Sequence, residues 1–329
     1  MKLKIPAHEW RQVNRRLCRV LQRHDQHDED RLSDEEQSIV RRIREQTERS
    51  NRNNVTRTKS YFEFYLEHPE VHWAFLAHMV SRNGGWNMTD LKGEFLSKLL
   101  SETDQEHLFQ FLERSNGLIF HDAYPQLLLY KESVARKQNL FHLLSAFHVS
   151  RFMRPFWEQF YETKCSALIT VALIVNEQNY IERRVARQPV FHKQVFNRLF
   201  FKGQSLLQLN PVVFPYLIPD SNKLHAAAAT VGLAGRNLEK FTDLSERIEI
   251  GKQLYAILFG IPDVRNGALK FAKYQVHTGS RADFWPILFH TAPGRAAPNV
   301  MYKKRKPDFS KSQLYSPFLQ DVWADRTMQ

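Results

Sequence analysis

The sequence predicts an all-α protein, a multi-helix bundle finished by an irregular, extended C-terminal tail. Three observations carry this reading. Apolar residues recur at spacings of three and four along most of the chain, the period of a buried helix face. No segment sustains the period-two alternation that a large sheet requires. From Tyr274 onward the helical period disappears and Gly, Pro and aromatic residues take over. A chain of 329 residues can bury a core without disulfides or metal. Three regions are expected: basic N-terminal helices over 1–50, a helical core domain over 51–273 and a wrapping tail over 274–329.

Trp10, Val13, Leu17 and Val20 form one apolar stripe on a first helix, with arginines on the opposite face. Ser33 and Glu36 have capping-box spacing, in which each side chain reaches the other's free backbone N–H. They open a second helix carrying Ile39 and Ile43. The polar stretch 51–56 predicts a loop, and from Lys59 an aromatic helix runs through Tyr61, Phe62, Phe64 and Tyr65. Pro69 suits the first turn of the next helix, where a missing N–H costs nothing. That helix carries Val71, His72, Phe75, Leu76 and Met79 and stops at Asn83-Gly84-Gly85. Another follows over 90–100.

Thr103 and Glu106 predict a further capping box, Leu108, Phe109, Phe111 and Leu112 an apolar face, and Asn116-Gly117 its stop. Pro125 reads as the start of the next helix. Residues 140–147 are apolar on most sides, and Phe152, Phe156, Trp157 and Phe160 continue the pattern. Residues 167–185 read as the central helix, and Pro189 begins another. Pro211, Pro215 and Pro219 forbid a long helix over 203–222, so irregular chain with short helical turns is expected there. The alanine-rich 224–233 reads as a close-packing helix, and 243–259 as a helix ended by Gly260 and Pro262.

The net charge of +12 is unevenly spread. Residues 61–130 carry −6, whereas 1–60, 131–210 and 211–329 carry +5, +7 and +6. Such basic regions favour nucleic acid or another anionic surface as partner. The candidate anion-binding residues are Arg183, Arg184 and Arg187, together with the tail run Lys303, Lys304, Arg305 and Lys306. Phe191, Phe196 and Phe200 lie among further basic residues and suit base stacking. The same pattern also fits phenylalanines facing a core and arginines facing water. Two polar interruptions stand out in apolar surroundings, the turn at 83–87 and the run at 176–180. A polar cluster within a core helix completes a hydrogen-bond network or lines a pocket. His78, Asn83, Asn87 and Glu177 are the candidates for the pocket.

Several chemistries find no support. Cys18 and Cys165 fit neither a zinc spacing nor a disulfide scaffold. His68 and His72 have the helical spacing of metal ligands, but Pro69 places His68 outside a regular helix, and no metal or cofactor is assigned. No phosphate loop or nucleophile elbow occurs. The most apolar run, 165–175, has eleven residues, against about 20 for a membrane-spanning helix. No transmembrane segment and no secretory signal are expected, and the expected location is cytoplasmic.

The strings Asn54-Val-Thr-Arg-Thr-Lys59, His72-Trp-Ala-Phe-Leu-Ala-His78, Ser81-Arg-Asn-Gly-Gly-Trp-Asn-Met-Thr-Asp-Leu-Lys-Gly93 and His277-Thr-Gly-Ser-Arg-Ala-Asp-Phe-Trp-Pro286 resemble the YppC-like family of spore-forming Gram-positive bacteria, a domain of unknown function. The resemblance covers most of the chain after about residue 35. It implies a bacterial cytoplasmic setting and lends no catalytic residue, cofactor or partner.

Three functions therefore stand. The first is a non-enzymatic binding protein that uses its basic surface. The second is an enzyme or small-ligand binder with a polar pocket between helices. The third is peripheral association with anionic membrane through the first helix. Convergence of 83–87 and 176–180 on a concave site would favour the second. A single exposed face holding the arginines and the tail run would favour the first.

Overall fold

The computed structural model describes residues 4–22, 32–87, 90–92, 100–186, 211–218, 230–238, 240–286 and 289. In chain order these form α1 (Ala7–Gln22), α2 (Asp34–Ser50), α3 (Asn54–Glu67), α4 (His72–Ser81), α5 (Glu102–Arg136), α6 (Met153–Thr163), α7 (Ser166–Ile181), β1 (Pro211–Ile218), β2 (Thr230–Asn237), α8 (Leu244–Gly260) and α9 (Pro262–Tyr274). The fold is a mostly helical bundle with one small antiparallel hairpin.

Local chemistry fixes several helix starts. Ser33 and Glu36 form the expected capping box: the Glu36 N–H donates to Ser33 Oγ at 3.3 Å and the Ser33 N–H to Glu36 Oε2 at 2.9 Å. Asn53 and Thr56 do the same for α3, and the Asp243 carboxylate accepts from the first amides of α8. Each cap satisfies N–H groups that have no partner within the helix. Pro262 opens α9 in its first turn, where its fixed φ suits a helix.

α7 is the central helix, as its apolar run implies. Leu168, Ile169, Leu173 and Ile174 are buried, and the helix touches α4, α5, α6 and α8. Around it the aromatic residues of α3, α4, α5 and α6 pack in offset and edge-on pairs. Tyr61 meets Trp73 edge-on at 5.4 Å, Tyr65 stacks on Phe75 at 4.8 Å and Phe141 stacks on Trp157 at 5.7 Å. α1 docks on this core through buried Val13 and through Trp10, which meets Phe156 at 6.5 Å.

Several expected boundaries are corrected. The helix predicted to begin at Thr103 starts from Ser101, whose side chain accepts from the Asp104 N–H at 3.1 Å. It then runs unbroken to Arg136, through Asn116-Gly117 and Pro125. Gly117 is a close-packing position and not a stop: it is buried, and Asn51 donates its side-chain amide to the Gly117 carbonyl at 3.1 Å. Pro69 lies in the turn before α4, and α4 passes into a 3-10 turn, Arg82–Asn87. Residues 90–92 form a further 3-10 turn, with 93–99 outside the described residues, and Phe141–Phe147 is also 3-10.

The larger correction is the hairpin. Residues 211–218 are extended and pair with 230–237 in register from Pro211↔Asn237 to Ile218↔Thr230. The chain here is rich in Val, Phe, Tyr, Leu and Ile, which favour strands. A two-stranded ribbon leaves each strand a free edge, where proline does no harm. Thus 230–233 is strand, not the end of an alanine-rich helix, and 224–229 lies outside the described residues. Gly235 is required by close approach: a Cβ there would sit 2.0 Å from the Val212 carbonyl oxygen. The helix expected from Pro189 also lies outside the described residues.

Candidate functional site

Two adjacent features occupy the region where α3, α4, α5, α7, α8 and the hairpin meet. The first is a buried polar junction. On α3, Asn54 donates its side-chain amide to the Ser81 carbonyl at 3.0 Å, and Thr58 Oγ1 meets Ser81 Oγ at 2.6 Å. His78 Nδ1 lies 2.8 Å from the Thr58 carbonyl, and Arg82 Nε donates to His78 Nε2 at 3.0 Å. The imidazole therefore carries its proton on Nδ1 and is neutral, in accord with burial and the nearby Arg82 charge, which push its pKa well below the usual range. Asn83 acts as a substitute strand: its amide donates to the Val213 carbonyl at 2.9 Å and its oxygen accepts from the Val213 N–H at 3.0 Å.

The segment after α9 closes this junction. His277 Nε2 lies 2.7 Å from Asn54 Oδ1 and Nδ1 lies 3.2 Å from Asp283. Ser280 Oγ and the Arg281 N–H both donate to Asp90, at 2.6 and 3.0 Å, and Arg281 Nε donates to the Asn83 carbonyl at 3.1 Å. Buried polar groups need such partners. The four strings that carried the family resemblance thus contribute to one place.

The second feature is a cavity of about 210 Å³ on the other side of α4. Its wall is mainly apolar and aromatic, with Tyr61, Trp73, Phe111, Phe241 and Leu254 among its residues. Among the described residues three charged ones line it: Arg57, Arg247 and Glu177. Arg57 makes a buried ion pair with Glu113 at 2.5 Å and also donates to Asn51. Arg247 pairs with Glu182 at 2.6 Å and donates to the Phe241 carbonyl and, at 3.0 Å, to Gln178 Oε1. Gln178 passes the polarity on by donating to Glu177 Oε1 at 3.2 Å.

Glu177 differs from the other two. Protein surrounds it, yet part of its surface stays open, because that part faces the cavity. Among the described residues no cation pairs with it. Burial raises its pKa from the ordinary 4.5 to about 8, against the opposing hydrogen bonds of Gln178 and Trp73. Desolvation without a counter-charge is the physical cause. Its neighbour Asp122, which accepts from Asn176 at 2.6 Å and from Gln126 at 3.0 Å, is raised to about 6, also by burial.

The structure therefore separates the residues that the sequence grouped as pocket candidates. Glu177 lines the cavity. His78 and Asn83 belong to the polar junction. Asn87 closes the 3-10 turn Arg82–Asn87, and its side chain is outside the described set. Of the anion-binding candidates, Arg183 and Arg184 are exposed on the turn Glu182–Ala186, with Arg184 over the Tyr180 ring at 3.8 Å. Arg187, Lys303, Lys304, Arg305 and Lys306 lie outside the described residues. His68 and His72 do not converge as ligands: His68 caps α3, while His72 bonds the Tyr255 hydroxyl at 2.9 Å and stacks on Phe259.

Sequence reasoning missed Arg57 and Arg247, although a signal was present. Arg57 is in helical phase with Tyr61, Phe64 and Tyr65, and Arg247 with Leu254 and Leu258. A charge on an apolar stripe marks a buried, partnered group.

The family model described as "Protein of unknown function (DUF2515)" matches residues 49–329. Over 293 residues the chain is 41% identical to "Uncharacterized protein YppC" of Bacillus subtilis (strain 168), covering 84% of this chain and 88% of that protein. No solved structure matches the chain.

Proposed function

This chain belongs to the DUF2515 family, and on that premise we propose that it binds a small molecule with an apolar body in the cavity between α3, α4, α5, α7 and α8. The observation that carries this reading is the cavity itself: an apolar chamber with one carboxyl, Glu177, on its wall and without a cationic partner among the described residues. A well-formed apolar pocket with few polar groups and a strongly shifted titratable residue is the usual form of a ligand site. The space is adequate, since an apolar cavity of about 150 Å³ admits benzene. All the lining residues fall within the region that the family model covers. The proposed location is the cytoplasm, which the two free thiols, Cys18 and Cys165, suit.

The test is a thermal-shift and calorimetric screen of small aromatic and aliphatic compounds, run on the wild type and on Ala77→Phe. Ala77 lines the cavity, and a phenyl ring there fills it. Compounds that raise Tm for the wild type and lose that effect in Ala77→Phe support the reading. Equal shifts in both proteins, or no shift in either, reject it.

A second reading keeps the basic surface. Arg183 and Arg184 are exposed at the end of α7, where they suit nucleic acid or another anionic partner. Binding through phosphates weakens steeply as salt rises. A titration of duplex DNA, single-stranded DNA and anionic vesicles across a salt series tests it, and no binding at low salt ends it. The vesicle arm also tests membrane association through α1, whose Val13 is instead buried against the bundle.

A further inference from the structure

The charges on the cavity wall do not balance once Glu177 ionises. Arg57 is matched by Glu113 and Arg247 by Glu182, both at ion-pair distance. Among the described residues Glu177 receives only neutral donors, the Gln178 amide and the Trp73 indole. Among the described residues the lining thus holds two compensated cations and one carboxyl without a counter-ion. An occupant that supplies a positive charge corrects this imbalance, whereas an anionic occupant would place a second negative charge beside the first.

The aromatic residues of the wall favour the same class of ligand. Tyr61, Trp73, Phe111 and Phe241 all line the space, and ring faces attract cations. Arg247 already lies over the Phe241 ring at 5.1 Å. The carboxyl is also already desolvated by folding, so a bound ammonium adds only its own dehydration. Resting on the cavity reading above, we infer that the ligand is an amine with an apolar body, seated with its ammonium on the Glu177 carboxylate and its body against Trp73, Tyr61 and Leu254.

A proton balance goes with this binding. Ordinary alkylammonium groups stay protonated to about pH 10, so the amine arrives charged. Below about pH 8 Glu177 carries a proton, which must leave to solvent as the ion pair forms. Affinity for the amine then rises about tenfold per pH unit up to roughly pH 8 and levels off. A neutral ligand of the same shape releases no proton and lacks this rise. Among the described residues, the other titratable or charged groups on the cavity wall are Arg57 and Tyr61 on α3 and Arg247 on α8, the arginines paired with Glu113 and Glu182, and Asp122 on α5 acts on Glu177 through its charge. Asp122 ionises at about 6, so the comparison needs a variant that keeps it.

The experiment compares phenethylamine, its neutral isostere propylbenzene and 3-phenylpropionate by calorimetry between pH 6 and pH 9, on the wild type and on Glu177→Gln. The expected result is that phenethylamine binds the wild type at least tenfold more tightly than propylbenzene at pH 8, with the pH rise described. 3-Phenylpropionate should not bind. Glu177→Gln should lose both the preference and the pH rise while keeping propylbenzene. If propylbenzene binds the wild type as well as or better than phenethylamine, the amine inference is overturned and the cavity reading stands. If none of the three binds, both fail. The wild-type comparison decides the matter even if the variant does not fold.

Discussion

Glu177 lowers the stability of the free protein wherever it is ionised. Its folded pKa, about 8, lies above the ordinary 4.5, so the native state holds the proton more tightly than the unfolded chain. Stability is fully present below about pH 4.5 and falls as the pH rises toward 8. The cost at pH 8 is on the order of 4 kcal/mol. Glutamine keeps the shape and hydrogen bonds of the neutral acid without the charge. Glu177→Gln should therefore be more stable than the wild type, by little at pH 5 and by a few kcal/mol at pH 8, in urea denaturation. A difference that stays constant with pH would show that this carboxyl titrates in the native state as it does in the unfolded chain, and that burial has not raised it. A residue that reduces stability at neutral pH and faces a mainly apolar cavity is better explained by ligand binding than by packing. His277 makes a useful contrast, because its two ring nitrogens both serve the fold, one toward Asn54 and one toward Asp283. Removing it strands buried partners. His277→Ala should cost about 1–3 kcal/mol without changing the affinity of any cavity ligand, measured by denaturation and calorimetry on the same samples.

At the scale of elements, the hairpin and α9 depend on a close approach that only glycine allows. A Cβ on Gly267 would lie 2.5 Å from the Leu217 carbonyl oxygen, so α9 would have to move off β1. Gly267→Ala should destabilise the protein by about 1–3 kcal/mol, even though alanine gains roughly 1 kcal/mol of helix propensity. A rise in Tm for this variant would refute the packing argument. The same elements show what local sequence can reveal. The starts of α2 and α8 were legible because caps are local chemistry: Ser33 with Glu36, and Asp243. The central place of α7 was legible because it is apolar on every side. The hairpin was not, since prolines at 211 and 215 obscure strand propensity until a two-stranded ribbon with free edges is known. The ends at Lys137, His148 and Lys164 were also hidden, because all three adopt the left-handed conformation usually left to glycine. Lys164 is held there by tertiary contacts: its ammonium lies 4.9 Å from the Tyr130 and Tyr161 rings and donates to the Tyr130 hydroxyl at 2.9 Å. Of the pocket candidates whose side chains are described, Glu177 is the one that lines the cavity. His78 and Asn83 are polar in apolar surroundings for a different reason: His78 bonds to the Thr58 carbonyl and to Arg82, and Asn83 bonds to Val213 of β1 and, through its carbonyl, to Arg281.

At the scale of the whole molecule, the polar junction joins parts of the chain more than 200 residues apart, from Asn54 to His277. It lies beside the cavity and shares Ser81 with its wall, so the junction fixes where α4 presents Trp73 and Ala77 to a ligand. Asp90 is the key acceptor. It takes hydrogen bonds from Ser280 and from the Arg281 backbone, and its charge opposes the burial that lowers the Arg281 pKa to about 10. Asp90→Ala removes the buried acceptor of the Ser280 hydroxyl and the Arg281 amide, and stranding buried donors costs about 1–3 kcal/mol. The loss should be local before it is global. Hydrogen exchange should accelerate first at the amides of 277–284, while the central helix α7 and its neighbour α6 keep their protection. Asp90→Asn, which retains one acceptor, should fall between the two. If α6 and α7 lose protection in step with 277–284, the segment after α9 is an inseparable part of one cooperative core. If it opens alone, the junction is a clasp, and a ligand in the neighbouring cavity should slow the exchange at 277–284 by stabilising the α4 surface on which that clasp closes.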